Sequence, residues 1–180
     1  MRVLGVDPGS RRTGFGVVER SGNRLRCVAH GTVVPRAALD LPRRLHDLAA
    51  RVGEVMDRTA PQCVVVEEAF YHESVRSTLV LGHVRGALLV AAVQRGLEVA
   101  EYSPREIKLS VVGSGGATKE QVAFMVRRLL RVHGALQVDA ADALAAALCH
   151  LHQVRISAPA RAASAAAERL EALLARRGAR

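Results

Sequence analysis

Between Val3 and Val34 apolar, mostly β-branched residues alternate with Gly and polar residues, the period of two that places every second side chain on one face of a strand. Ser21-Gly22-Asn23 supplies turn chemistry inside that stretch. The pattern predicts three strands in an antiparallel meander. From Leu41 to Arg58 the spacing becomes helical, with Leu41, Leu45, Leu48, Val52, Val55 and Met56 recurring every three or four positions. Asp40 stands as the N-cap, and Pro42 lies in the first turn, where its missing N–H does no harm. Gln62 to Glu67 holds the continuous apolar run Cys63-Val-Val-Val66 after Pro61, as expected of a central strand covered on both faces. That strand ends on a carboxylate.

Further along, the pattern predicts a long helix from Ser74 to Arg95, a short strand from Leu97 to Tyr102, and a short helix beginning at Pro104. A loop at Gly113-Ser-Gly-Gly116 follows. Thr118 then caps a helix reaching about Val132, with Gln121 at the capping-box position. Val138 to about Val154 is the last core helix, and no internal repeat is present. The order βββαβαβα with terminal helices predicts an α/β fold: a ribonuclease H-like mixed five-stranded sheet, three strands antiparallel and the others parallel, flanked by helices. Residues 1–154 form one domain in this reading. Residues 155–180 are an Ala/Arg-rich tail in which Leu170, Leu173 and Leu174 leave a short helix and disorder both open.

Charge narrows the partners. The chain holds 26 Lys and Arg against 17 Asp and Glu, a formal net charge of +9. Such a balance favours a polyanion, whose condensed counterions are released when arginines neutralise its phosphates. The tail's six Arg and two Glu account for +4 of it, so charge alone does not establish nucleic-acid binding. Cys27, Cys63 and Cys149 are far apart and odd in number, against a disulfide framework or a zinc site. The start has no signal-peptide pattern and no continuous apolar run reaches bilayer length, so the expectation is a cytoplasmic protein with no membrane association.

The candidate chemistry is acidic. Asp7 lies where the first strand runs into Pro8-Gly9, either as a plain turn residue or as a ligand at the sheet edge. Glu67 closes an apolar strand, a costly place for an acid unless it is exposed, paired or bound to a cation. Its neighbour Glu68 points to the opposite side of an ideal strand, either as a solvated bystander or with the roles of the two acids exchanged. Asp139 and Asp142, three apart at a helix start, lie on nearly one face; a favourable first-turn charge explains them as well as a shared cation does. Together the four acids, without His or Cys, suit Mg²⁺ or Mn²⁺ and two-metal phosphodiester hydrolysis.

Lys108 and Lys119 are the only lysines, and they bracket the glycine loop. A flexible ammonium reaches a phosphate as a point charge, which an arginine fork does not replicate. Phe70 and Tyr71, in a loop after Glu67, either stack on unpaired bases or tuck into the core. Gly82 and Gly86, four apart on an apolar helix, permit close approach of another helix, from the same chain or from a second copy. His150 and His152, two apart, do not face each other and are not joint ligands.

Asp7-x-Gly9 with Thr13-Gly14 is also similar to the phosphate-binding hairpin of actin-like ATPases and sugar kinases, but 180 residues leave no room for their second large domain. A non-catalytic DNA-binding scaffold is the other rival. Over residues 1–154 the chain most resembles the RuvC family of bacterial Holliday-junction resolvases. The resemblance is carried by Gly5-Val-Asp7-Pro-Gly-Ser10, Thr13-Gly-Phe-Gly16, Glu67 with Phe70, Leu81-Gly82 with Arg85-Gly86, Lys108, Val111-Val-Gly113, Lys119 and Asp139-Ala-Ala-Asp142-Ala-Leu-Ala145. It implies that Asp7, Glu67, Asp139 and Asp142 are metal-binding catalytic acids, that Lys108 and Lys119 lie near the cut strand, and that Phe70 contacts bases. It further implies two Mg²⁺ ions, replaceable by Mn²⁺, and a two-fold homodimer that nicks four-way junction DNA symmetrically with RuvA and RuvB as partners. Asp139 stands where some members carry His, so a His-assisted scheme does not transfer.

Overall fold

The computed structural model describes residues 1–36, 38–68 and 74–154, in two compact units, Met1–His150 and the residues from Leu151 onward. In the first unit β1 (Arg2–Asp7), β2 (Thr13–Ser21) and β3 (Arg24–Val33) form the expected antiparallel meander. Gly22 makes the β2–β3 turn with φ 58°, a left-handed conformation that costs glycine little. β4 (Cys63–Glu67) and β5 (Glu98–Tyr102) add in parallel on the other side of β1, giving the order β3-β2-β1-β4-β5. The mixed five-stranded sheet read from the sequence is therefore present, with β1 and β4 at its centre.

Helix boundaries follow the capping chemistry. In α1 (Leu41–Thr59) the Asp40 carboxylate accepts from the Arg43 backbone N–H, and in α2 (Val75–Val93) Ser74 accepts from Ser77. Both α3 (Pro104–Val112) and α4 (Lys119–Leu130) open on complete capping boxes, Ser103 with Glu106 and Thr118 with Gln121. α4 stops two residues short of the expected end because Arg131 turns left-handed at φ 52°. α5 is helical over 138–150, and the described residues of the second unit, 151–154, are helical as well.

Strand alternation sorts the core between two faces. Leu4 and Val6 of β1 and Val64 and Val66 of β4 pack with Leu48, Val52 and Met56 of α1 and with Val84 and Leu88 of α2, all buried. Each such side chain stabilises the fold by roughly 1.5–3 kcal/mol on burial. The odd-numbered positions of β1 and β4 face α5. A Cβ on Gly5 would stand 1.9 Å from the Ala143 carbonyl oxygen, so only glycine allows α5 so close. α5 matches this with Ala140, Ala141, Ala143, Ala145, Ala146 and Ala147, all buried.

The Arg and His residues of α2 interrupt its apolar run, yet over 19 residues the helix is long and apolar enough, by length and composition, to pass for a membrane span. The physical reason is that it is apolar on two faces. Val84, Leu88, Ala91 and Ala92 are buried, whereas Val75, Leu79, Val90 and Val93 are all more than half exposed.

Candidate active site

The alternation that puts Val3, Gly5, Cys63 and Val65 toward α5 carries on to the last residues of both strands. Asp7 ends β1 and Glu67 ends β4, and because Val6 pairs with Val66 the two carboxyl groups leave neighbouring strand ends on the same side of the sheet. Asp7 also pairs with Gly14 of β2, and a Cβ on Gly14 would lie 2.1 Å from the Asp139 carbonyl oxygen. The first turn of α5 therefore lies directly on Gly14. That contact brings Asp139, and one turn later Asp142, to the end of the sheet where Asp7 and Glu67 emerge.

Asp7, Glu67, Asp142, Lys108 and Lys119 line one cavity of about 310 Å³, whose apolar walls include Leu81, Ile107 and Val122. Asp139 is not among the lining residues. It stands at the margin, 3.7 Å (Oδ2) from Nε of Arg12. Lys119 Nζ donates to Asp142 Oδ2 at 3.0 Å. Among the described residues, no three His, Cys, Asp or Glu side chains stand close enough to form a ready ligand set. The four acids share a region without being drawn to a point.

The electrostatics show that these acids feel one another. Burial, then the charges of Glu67, Asp142 and Asp139, push Asp7 up to about 7 against the pull of Lys119. Glu67 is raised by burial and by Asp142, with Lys119 and Lys108 opposing. Lys119 is raised by its hydrogen bond and attraction to Asp142 and by the fields of Asp7 and Glu67. The cavity thus carries more negative charge than its lysines offset. Its oxygen donors suit a hard divalent cation, and no thiolate or imidazole among the lining residues favours zinc.

β4 ends at Glu67, so strand alternation no longer governs the next residue; the Glu68 N–H donates to Tyr102 O at 3.0 Å, and Glu68 lines the cavity. Arg12 went unsingled among so many arginines, since nothing local ties it to Asp139. His150 is buried and bonded through Nδ1 to the Tyr102 hydroxyl at 3.0 Å. On α2, Gly82 and Gly86 have open space where a Cβ would be. Phe70 and Tyr71 lie outside the described residues.

Comparison with known proteins agrees with this geometry. The family model described as crossover junction endodeoxyribonuclease RuvC matches residues 3–150. The RuvC of Hyphomonas neptunium is 49% identical over 86% of this chain and 92% of its own, and that of Bordetella parapertussis is 51% identical over 84% of each. Among solved structures, Thermus thermophilus RuvC in complex with a Holliday junction substrate superposes with a TM-score of 0.82 at 37% identity, covering 87% of this chain and 96% of that one. The yeast mitochondrial Holliday junction resolvase Ydc2 shares the fold, with a TM-score of 0.63 at 14% identity over 83% of this chain and 77% of its own. A family match from residue 3 to residue 150, across the whole sheet and its helices, with relatives at half identity, leaves one assignment: this chain belongs to the RuvC family of crossover junction endodeoxyribonucleases.

Proposed function

We propose that the chain resolves four-way DNA junctions by symmetric phosphodiester hydrolysis, with Asp7, Glu67, Asp139 and Asp142 as ligands for two Mg²⁺ ions that Mn²⁺ replaces. The family is one of metal-dependent nucleases; the ion, its number and the residue roles are what the proposal adds. The observation that carries it is the gathering of Asp7, Glu67 and Asp142, from two strand ends and a helix, around one cavity where burial and mutual repulsion push Asp7 up to about 7. Acids in that state are short of positive charge, and a divalent cation supplies it.

Bound Mg²⁺ contributes Lewis-acid chemistry, acidifying water and stabilising a leaving oxygen. The chain's own residues do the rest. The apolar walls of Leu81, Ile107 and Val122 thin the water around the charges, which strengthens every interaction among them. Lys119, held by Asp142, keeps an ammonium in the cavity to offset charge on the cut phosphate, and Lys108 meets the same strand's backbone. Phe70 and Tyr71 are assigned to unpaired bases at the junction centre. RuvA and RuvB are the partners that would hold the junction, in the cytoplasm.

A homodimer belongs to this reading, since two opposed strands must be nicked. Val75, Leu79, Gly82, Gly86, Val90 and Val93 recur at spacings of three and four, forming one stripe on α2 opposite its buried face. The two glycines leave open space along that stripe, and a second copy of the same helix fits it.

A labelled four-way junction with Mg²⁺ tests the function: paired nicks at symmetric positions are expected, lost in EDTA and restored by Mn²⁺. Asp7→Asn should lower cutting by more than the roughly ten- to hundredfold that removal of an outer-shell partner costs. Junction binding should largely survive. Cutting at the wild-type rate by this variant would overturn the role given to Asp7.

A further inference from the structure

A second cleft, of about 360 Å³, opens beside Asp139 and is lined by Arg12, His30, Gly31, Thr32, Val34, Ala135 and Gln137. Its lining holds no acid, in contrast to the neighbouring cavity. The Thr32 hydroxyl donates to the Gln137 side-chain oxygen, tying β3 to the segment that leads into α5. Arg12 joins the two sites, because it lines this cleft while its Nε stands 3.7 Å from Asp139.

The backbone that carries Arg12 is constrained. The Thr13 side chain is fully buried; its hydroxyl donates to Gly9 O at 2.9 Å and accepts from the Gly9 N–H at 3.4 Å. A Cβ on Gly9 would lie 2.1 Å from Arg12 O, so the turn after Asp7 folds tightly back on itself. Arg12 is thus presented from a closed turn that starts at an acid of the active cavity.

The contact with Asp139 does not by itself account for Arg12. It is long and involves a side chain that is 58% exposed, the kind of pair worth about 0–1 kcal/mol. Arg95, by comparison, grips Asp57 through Nε at 2.8 Å and Nη2 at 3.2 Å. The Arg12 guanidinium makes no hydrogen bond to a described residue. A planar fork of donors in a cleft lined by His30, Thr32 and Gln137 suits a phosphate.

We propose that this cleft is a phosphate subsite that takes a backbone phosphate of the cleaved DNA strand next to the scissile one, with Arg12 as the positioning residue that carries its charge. The inference rests on the nuclease reading above. Arg12 then belongs to the substrate, and its pairing with Asp139 is what it does before DNA arrives.

Metal-free binding of a labelled four-way junction across a salt series decides it. Arg12→Ala should weaken binding for all junction sequences alike and reduce the slope of log affinity against log salt by roughly one per protomer. Arg12→Lys should restore most of the slope. Arg24→Ala, an exposed arginine at the opposite end of the sheet, should leave both slope and cutting unchanged. An unchanged slope in Arg12→Ala overturns the proposal, including the case in which the variant only needs more Mg²⁺, which would make Arg12 a support for Asp139 alone. Wild-type protein that neither binds nor cuts junctions would instead overturn the functional reading.

Discussion

In the unfolded chain Asp7 is an ordinary acid at 3.8; at the end of β1 it is pushed up to about 7, first by burial and then by Glu67, Asp142 and Asp139. The native state therefore holds this proton more tightly than the unfolded chain does. Its contribution to stability is full below 3.8 and is lost as the pH rises toward 7, at about 1.4 kcal/mol for each pH unit between. Asp7→Asn removes the charge and keeps the shape. Without metal, this variant is expected to melt higher than wild type at pH 8, by on the order of a few kcal/mol in stability, with a smaller gap at pH 5. Scanning calorimetry in EDTA measures it, and a variant melting at or below wild type at pH 8 would mean the acids do not repel as described. Of the four acids only Glu67 broke a local pattern, by closing an apolar strand; Asp7 in a turn and Asp139 and Asp142 at a helix start each fit their surroundings, and it was their combination and the family resemblance that marked them. Alternation leaves the side of Glu68 open one residue past the strand end, where it lines the cavity, and Arg12 carried no local mark at all.

At the scale of elements, sequence period and caps placed every strand and helix, because hydrogen bonding within a helix and alternation within a strand are local. How closely two elements pack was not legible. Gly86, on an apolar helix, is the glycine the sequence marks for close approach, and Gly5 is not, yet a Cβ on Gly5 would run into the α5 backbone at Ala143, while one on Gly86 meets nothing within 4 Å. Gly5→Val is accordingly expected to destabilise by about 3 kcal/mol or more, with α5 forced off the sheet and both Asp139 and Asp142 displaced. Gly86→Ala should stabilise the folded monomer by up to about 1 kcal/mol through helix propensity. Urea midpoints of the two variants test this contrast; equal shifts would contradict the packing of β1 against α5. α2 was read as one apolar helix, and only its burial separates an inner face from an outer stripe.

For the whole molecule, that outer stripe predicts self-association. The wild-type chain is expected to sediment as a dimer at micromolar concentration, and Leu79→Arg, placing a charge on the exposed stripe, as a monomer with unchanged circular dichroism. A variant that still sediments as a dimer would remove α2 from the interface. What the sequence determined by itself was the set of elements, which positions are apolar, and that Glu67 is a costly acid at the end of an apolar strand, since each depends on residues within a turn or two. The tertiary structure decided how Asp7, Glu67 and Asp142 come around one cavity while Asp139 stands at its margin, that Arg12 reaches Asp139, and that a cleft without acids lies beside the acidic one. Those distances arise from β4 settling beside β1 after a long crossover and from α5 closing onto Gly5 and Gly14. Chain separation carries no information about contacts that are set by burying the two faces of a common sheet.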